Sequence, residues 1–330
     1  MNASNMATPR RTSAWVATLA LWSLIGIAAA QQYPVKPVHV VVPAPPGGLS
    51  DVVARALSQN LGERLGQTFV VENRAGASGI IGIQFVAKSA PDGYTLLVFP
   101  SILILMPMLV KNVPYDAVKD LTPVSQLGTV PLAFVTHPGM PAANLREFIA
   151  IAKANPGKYA FAASGLGSVG HLTIERIQRE AGLKLLLVPY KGAAPAMIDL
   201  MGARVSLMID PVPNFAEHIK AGKLKALAVS TRERVSALPD VPTLAESGLA
   251  GFEDGSWYGI WGPARMPRDV LNVLNREIAE AMKTPRVTER LVAQALIPVG
   301  SRSEDFAAFI NAEIAKYSRI IKDANIRIED

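Results

Sequence analysis

The stretch VVPAPPGGLSD at residues 41–51 decides the fold. It continues the β-branched run Val38–Val42, which is typical of a buried strand. The prolines end that strand because proline has no N–H to give to a sheet ladder. Gly47 and Gly48 allow a sharp turn, and Ser50 and Asp51 are helix-capping types. Apolar residues then recur at helical spacing, so the pattern predicts a strand, a glycine-rich loop and a helix.

Such a loop favours the binding of an anion. The first N–H groups of a helix have no partner within the helix, and the helix dipole places its positive end there. The alternative is a tight turn that binds nothing. This stretch by itself leaves both open.

The first 30 of the 330 residues predict a secretory signal peptide. Arg10 and Arg11 precede an apolar segment that ends in the A-x-A pattern of Ala28–Ala30, so we expect cleavage near Ala30. A retained membrane anchor is the alternative, and the short apolar segment argues against it. The remaining chain of about 300 residues is long enough for two domains.

Composition excludes several classes of function. The chain has no cysteine, which excludes thiol catalysis, disulfides and cysteine-ligated metals. The net charge is +6, and no cluster of basic residues is interleaved with aromatic ones, so nucleic-acid binding is unsupported. The most apolar mature stretch, residues 95–110, is shorter than a membrane span and is interrupted by prolines; it predicts a strand, a loop and a short helix.

The rest of the chain predicts an α/β fold built twice. Strands alternate with helices in both halves, which favours parallel βαβ units. The predicted later strands lie at residues 67–72, 94–99, 130–136, 159–163, 185–189, 205–209 and 224–229. The aromatic stretch at residues 257–261 precedes two amphipathic helices at 268–283 and 303–324, the second capped by Ser303.

A second glycine-rich loop, GLGSVG at residues 165–170, fits the dinucleotide pattern G-x-G-x-x-G between a strand and a helix. It makes a secreted oxidoreductase the natural alternative. That pattern requires an acid at the end of the next strand, where this chain has Tyr190 and Lys191; Asp199 lies further on, inside a helix. The other use of the same geometry is a small anion, held by backbone N–H groups with the hydroxyls of Ser164 and Ser168.

The remaining polar candidates have structural alternatives. His171 lacks a visible nucleophile and orienting acid, so a structural hydrogen bond or a ligand contact is favoured over catalysis. Lys191 either pairs with an acidic ligand or is solvated, and Asp51 is either a cap or a fixing point for its loop. Trp257 is expected in the core. The histidines have no metal-ligand spacing, so we expect no metal, no cofactor and no enzyme activity.

The mature chain resembles the periplasmic solute-binding proteins of tripartite tricarboxylate transporters, also called the Bug (Bordetella uptake gene) family. The resemblance runs from about Tyr33 to the C-terminus. It is carried, in order, by YPVKPVHVVVPAPPGGLSD, VVENRAGASGIIG, AKSAPDGYTLL, VPYDAVKDLTPVS, ASGLGSVGHL, VPYKGAAPAMIDLMGARV, AGKLKALAVST, LPDVPTLAESGL and WYGIWGPA.

This resemblance implies a two-domain type II periplasmic-binding-protein fold, the "Venus flytrap", with the ligand in a cleft between the lobes. Lobe 1 is expected to hold residues 31–130 plus 254–330, and lobe 2 residues 131–253. By resemblance the ligand-binding residues are Pro46, Gly47, Gly48, Asp51, Ser101, Ser164, Gly165, Gly167, Ser168, His171, Tyr190, Lys191, Gly192 and Asp210. The chain departs from the family pattern at Ala44, Ala75 and Ser206.

The expected function is therefore a periplasmic receptor that captures a small organic carboxylate. The resemblance implies closure of two lobes on the ligand and delivery to integral-membrane transporter subunits, by a monomer. A sensor or scaffold with the same binding fold is a further alternative. The sequence leaves the acid open among di- and tricarboxylates, acidic amino acids and aromatic acids.

Overall fold

The computed structural model describes residues 33–326 of the chain. The predicted signal peptide and its cleavage site lie outside the described residues. From Lys36 onward the chain forms two sheets, each covered by helices. We call the six-stranded sheet with its helices lobe 1 and the five-stranded sheet with its helices lobe 2.

The sheet of lobe 1 is mixed. Its strands are β1 (Val38–Val42), β2 (Phe69–Asn73), β3 (Thr95–Pro100), β4 (Leu121–Val130), β10 (Ser256–Pro263) and β11 (Ile297–Pro298). They lie in the order β11-β4-β10-β3-β1-β2. β1 pairs in parallel with β2 and β3, as the sequence predicted. β10 returns from the far end of the chain and lies antiparallel between β3 and β4, so the expectation of parallel units holds for only part of the sheet.

Lobe 2 repeats this plan with five strands: β5 (Leu132–Thr136), β6 (Ala160–Ala163), β7 (Leu186–Pro189), β8 (Leu207–Pro211) and β9 (Lys225–Val229). Their order is β7-β6-β8-β5-β9. β6 is parallel to β7 and β8, whereas β5 is antiparallel to β8 and β9. The carboxyl ends of β6 and β8 therefore meet at one edge of the sheet.

The described helices are α1 (Leu49–Leu65), α2 (Ile80–Ala87), α3 (Ile102–Leu109), α4 (Leu145–Ala154), α5 (Val169–Ala181), α6 (Ala193–Met201), α7 (Ala216–Lys220), α8 (Arg268–Ala281), α9 (Pro285–Val292) and α10 (Ser303–Asp323). The sequence prediction missed β4, α9 and β11, and it assigned no strand to the stretch that forms β10. None of these helices is long and apolar enough to cross a membrane, within residues 33–326.

The starts of three helices are capped in different ways. Asn144 caps α4, since its side chain accepts a 3.0 Å hydrogen bond from Glu147 N. The cap of α1 is Gly48 rather than Ser50 or Asp51, because the helix begins two residues earlier than those side chains suggest. Ser303 is the first helical residue of α10 and not its cap; its hydroxyl donates to Pro123 O.

The chain passes between the lobes at two places that lie side by side. β4 ends at Val130 and β5 begins at Leu132, so the strand predicted over residues 130–136 is β5, with its start placed two residues too early. At the return crossing, a Cβ on Gly255 would lie 2.5 Å from a methyl carbon of Thr129. The glycine therefore lets the two crossings touch. The division of the chain into lobes at residues 130 and 254 stays a prediction.

The core of lobe 1 reaches into lobe 2. Trp257 and Trp261 of β10 are fully buried and pack on Phe306 of α10. Trp257 is thus a core residue, as expected. Leu172 of α5 belongs to the same cluster, although Ile177 on the same helix packs into the core of lobe 2. Helix α5 therefore contacts both cores.

Candidate functional site

A cavity of about 200 Å³ lies between the lobes, where strand ends and helix starts from both lobes converge. Lobe 1 contributes the end of β3, the start of α3 and the start of β10; lobe 2 contributes the start of α5 and the end of β8. The cavity is lined by Pro100, Ser101, Ile102, Leu132, Ser168, Val169, Gly170, Asp210, Pro211 and Ser256. Three of the residues expected to bind ligand, Ser101, Ser168 and Asp210, are therefore brought together.

Two helix N-termini, one from each lobe, meet at this cavity. Ser101 occupies the N-cap position of α3 without a side-chain cap hydrogen bond, and Ser168 caps α5 through a 3.2 Å hydrogen bond that its hydroxyl accepts from His171 N. The next two N–H groups of α5, those of Val169 and Gly170, have no acceptor among residues 33–326. They are the unpaired donors that any helix start presents, and the positive ends of two dipoles point to one space.

Ser101 supplies a further donor. The residue is 0 % exposed, and its hydroxyl oxygen has no hydrogen-bond partner among the described residues. Burying a hydroxyl without a partner costs about 1–3 kcal/mol. A molecule in the cavity that accepts a hydrogen bond from Ser101 would offset that cost.

Asp210 places an oriented carboxylate in the same cavity. Its Oδ1 accepts a 2.9 Å hydrogen bond from Ser164 Oγ, and its Oδ2 accepts a 2.7 Å bond from Asn214 Nδ2. Burial raises the pKa of Asp210 above its ordinary value, and the two donors act in the opposite direction. The contact with Asn214 was not predicted from the sequence.

The glycines of the second loop are explained by close packing. Gly167 has φ +74°, and a Cβ there would lie 2.3 Å from Leu109 Cδ1 of lobe 1. A Cβ on Gly170 would lie 2.0 Å from the Ile209 carbonyl oxygen, whereas Gly165 has nothing within 4 Å of that position. In a dinucleotide fold the second glycine makes room for a pyrophosphate. Here Leu109 lies against it, which argues against the nucleotide alternative.

His171 lies behind the loop. Its side chain is buried, its Nδ1 accepts a 3.0 Å hydrogen bond from Gly167 N, and its ring stacks on Phe161. An Nδ1 that accepts leaves Nε2 to carry the proton of the neutral ring. Because His171 is not among the lining residues, its visible role is to hold the Gly167 turn.

The first glycine-rich loop is not part of the cavity. Pro46, Gly47 and Gly48 are exposed and are not among the lining residues. Asp51 accepts hydrogen bonds from Arg55 Nε at 2.9 Å and from Gly47 N at 3.0 Å, and Asn73 donates to its other oxygen. The Arg55 hydrogen bond lowers the pKa of Asp51 to about 2, with smaller help from Gly47 and Asn73. Asp51 therefore fixes its own loop, one of the two roles considered for it.

The residues after β7 lie beside the Ser164 loop. Gly192 N donates to Ser164 O at 2.8 Å, and the Tyr190 hydroxyl donates to Asp199 at 2.8 Å. Burial, followed by the Asp199 carboxylate, raises the pKa of Tyr190 to about 12. The side chain of Lys191 is exposed. None of these residues lines the cavity.

The sequence missed the apolar part of the lining, because a lone apolar residue carries no signal that separates a pocket wall from a core. Ser256 was also missed, because it reaches the edge where β3 ends only through the antiparallel pairing of β10 with β3. Within residues 33–326 no group of three or more His, Asp or Glu side chains is arranged to hold a metal ion.

The family model described as "Tripartite tricarboxylate transporter family receptor" matches residues 53–326. The chain belongs to this family. Protein BugT of Bordetella pertussis is similar to this receptor, with 40 % identity over 309 residues that cover 92 % of this chain and 95 % of BugT.

Two solved structures show the fold that this receptor shares. Rpa4515 of R. palustris, solved with adipate, is 34 % identical, covers 89 % of this chain and 99 % of its own, and superposes with a TM-score of 0.74. MatC of Rhodopseudomonas palustris, with bound malate, is 31 % identical, with coverages of 88 % and 100 % and a TM-score of 0.68. The predicted family and the two-lobe periplasmic-binding-protein fold are confirmed.

Proposed function

We propose that this receptor captures a small dicarboxylate in the cavity between its lobes and delivers it to the membrane subunits of a transporter. The observation that carries the proposal is the meeting of two helix N-termini from different lobes around the buried, unpartnered hydroxyl of Ser101. Backbone N–H groups and hydroxyls of this kind bind a carboxylate without a basic side chain.

The cavity favours a small acid with a short carbon chain. Its volume of about 200 Å³ is below that of typical ligand pockets, which begin at about 300 Å³. Ile102, Leu132 and Val169 offer apolar walls for methylene groups, and the Asp210 carboxylate offers an acceptor for a hydroxyl on the chain. The relatives solved with adipate and with malate carry unbranched dicarboxylates, which supports the same class here.

Closure of the lobes follows from the geometry. Ser101 and Ile102 belong to one lobe and Ser168, Val169 and Gly170 to the other, so a ligand that contacts both sets stabilises only the form in which they face each other. We further propose that the receptor acts as a monomer in the periplasm after loss of its signal peptide, with no cofactor and no catalytic step. The proposed ligand contacts are Ser101, Ser168, Asp210 and the α5 N–H groups.

The test is a thermal-shift series on the mature protein with succinate, malate, glutarate and adipate, with butyrate as a monocarboxylate and NAD⁺ as controls. A ligand that binds only the native state adds about 2.7 kcal/mol at a hundred times Kd, a readily measured shift. We expect shifts with one or more dicarboxylates and none with NAD⁺. A response to NAD⁺ alone would support the oxidoreductase alternative, and an equal response to butyrate would refute the need for a second carboxylate.

A pair of variants locates the site. Ser101→Ala removes the buried hydroxyl in the cavity, and Ser58→Ala removes another buried hydroxyl without a described partner, on α1 away from the cavity. We expect Ser101→Ala alone to weaken binding. Equal affinities for the two variants would place the ligand elsewhere. A sensor or scaffold with the same site would pass both tests and fail to support uptake with the membrane subunits.

A further inference from the structure

Asp254 lies on the return crossing, two residues before β10, and its side chain is 0 % exposed. Its backbone is fixed on lobe 2: Asp254 N donates to Ser230 O at 3.0 Å, and Ser230 Oγ donates to Asp254 O at 2.7 Å. Leu132 N donates to Ser230 Oγ at 2.9 Å, which ties the first crossing to the second. The carboxylate therefore lies where the chain crosses between the lobes.

One carboxylate bonds helices of both lobes. Its Oδ2 accepts a 2.9 Å hydrogen bond from Thr173 Oγ1 on α5. Its Oδ1 accepts a 2.6 Å hydrogen bond from the Tyr317 hydroxyl and a 3.3 Å bond from Lys316 Nζ, both on α10. A hydrogen bond to a buried charge is stronger than a neutral one and is sensitive to geometry.

Thr173 connects this cluster with the cavity. It lies one helical turn after Val169, and its hydroxyl also lies 2.7 Å from Val169 O. Val169 and Gly170 line the cavity, and between them and Thr173 lies Leu172, which packs into the core of lobe 1. The position of Thr173 relative to α10 therefore sets how closely the start of α5 approaches Ser101.

The other contacts between α5 and α10 are weaker constraints. Arg179 pairs with Asp323 six residues further along both helices, but both side chains are partly exposed. Exposed ion pairs contribute little to stability because water and salt screen them. Buried Glu313 accepts from Trp257 Nε1 and pairs with Lys316, so it holds α10 to β10 within lobe 1. Among the polar contacts of the described residues, Asp254 alone joins the two helices through a fully buried side chain, beside the apolar packing of Leu172 on the core of lobe 1.

We propose that Asp254 is a positioning residue: by binding Thr173 and Tyr317 at once, it holds the ligand-contacting end of α5 against lobe 1. The inference rests on the proposed function for its effect on binding. It requires no contact between Asp254 and the ligand, so the order of preference among ligands stays that of the wild type.

The test compares four variants of the full mature chain. Thr173→Val removes one bond at constant shape, and Asp254→Ala removes the whole cluster. Asp254→Asn keeps atoms that can bond both helices and serves as the rescue. Thr136→Val is the matched control, since Thr136 is equally buried and its hydroxyl donates to Ser206 O in the sheet of lobe 2, away from the cavity.

Two readouts separate positioning from stability. Titration calorimetry with the best dicarboxylate is expected to give a Kd about 5–10-fold higher for Thr173→Val and at least as high for Asp254→Ala. A fifth variant that combines Thr173→Val with Asp254→Ala should lose no more affinity than Asp254→Ala alone, and the Kd of Asp254→Asn should lie near that of the wild type. The control Thr136→Val should lower Tm with an unchanged Kd.

The second readout is the distance between the lobes without ligand. The chain has no cysteine, so V118C and I198C, at exposed positions on the two lobes, accept spin labels without background. Pulsed dipolar spectroscopy should show a longer or broader distance distribution in Thr173→Val and Asp254→Ala than in the wild type.

The proposal is overturned if Thr173→Val and Asp254→Ala bind within twofold of the wild type and keep its label distances. A changed order of ligand preference would also overturn it, because it would place Asp254 in the pocket. If the wild type binds no dicarboxylate, the proposed function fails, but the label distances still decide whether Asp254 positions α5.

Discussion

Gly170→Ala tests how the second glycine loop is built. The added Cβ would lie 2.0 Å from the Ile209 carbonyl oxygen, where ordinary contact begins at 3.4 Å. That oxygen belongs to a central strand, so the start of α5 must retreat by about 1.4 Å. The same retreat moves the Ser168 cap and the Val169 N–H away from Ser101.

The cost is worked from this overlap. Overpacking costs about 1–3 kcal/mol, and the better helix propensity of alanine returns at most about 1 kcal/mol. For a chain of this size, about 2 °C of Tm corresponds to 1 kcal/mol. The net loss is therefore at most about 3 kcal/mol, so we expect Gly170→Ala to lower Tm by up to about 6 °C and to weaken dicarboxylate binding at least tenfold.

Gly165→Ala is the matched control, because the added Cβ meets no atom within 4 Å and Gly165 lacks a positive φ. Titration calorimetry gives the Kd of both variants, and thermal unfolding gives their Tm. Wild-type Tm and affinity in Gly170→Ala, or an equal loss in Gly165→Ala, would refute the packing explanation of the glycine pattern.

Three further predictions follow from buried polar groups. Ser101→Ala should raise Kd about tenfold in calorimetry with Tm unchanged or higher, because the hydroxyl has no described partner to lose; a fall in Tm with unchanged Kd would contradict this. Asp51→Asn should lower the free energy of unfolding, measured with urea at pH 7, by about 2 kcal/mol. This difference from the wild type should shrink from pH 4 to pH 2, because the Arg55 contact lowers the pKa of Asp51 from 3.8 to about 2. A difference that does not change with pH would exclude the ionised carboxylate as its source. The Tm of Asp210→Asn should rise relative to that of the wild type as pH increases above 3.8. Burial raises the pKa of Asp210, so ionisation of the carboxyl destabilises the folded wild type. A relative fall in the Tm of the variant would show that the hydrogen bonds from Ser164 and Asn214 outweigh the cost of burial.

The sequence failed where long-range pairing overrides local pattern. Residues 130–136 have one continuous apolar signal, yet Pro131 separates strands of two different sheets. The aromatic stretch at the start of β10 shows that it is buried, but nothing local shows that it lies antiparallel between β3 and β4. Helix α9 was missed, although Pro285 lies at its first position, where proline is favoured.

At the candidate site, too, local sequence pattern and tertiary structure give different answers. The loop at residues 46–48 has the glycines and the helix start of an anion site, but in the structure Asp51 binds Gly47 N and the loop is exposed. The lobe 1 helix that faces the cavity is instead α3, whose start carries only Ser101 as a polar signal. Sequence-level reasoning found that residue only through the family resemblance.

By itself the sequence determined the α/β class, the strand–loop–helix units and the family, because these rest on local residue types and on motifs in a fixed order. Only the tertiary structure decided which helix starts face each other. That choice depends on how two sheets pack through Leu109 on Gly167 and through Asp254 between Thr173 and Tyr317. These contacts join residues far apart in the chain, and no local pattern encodes them.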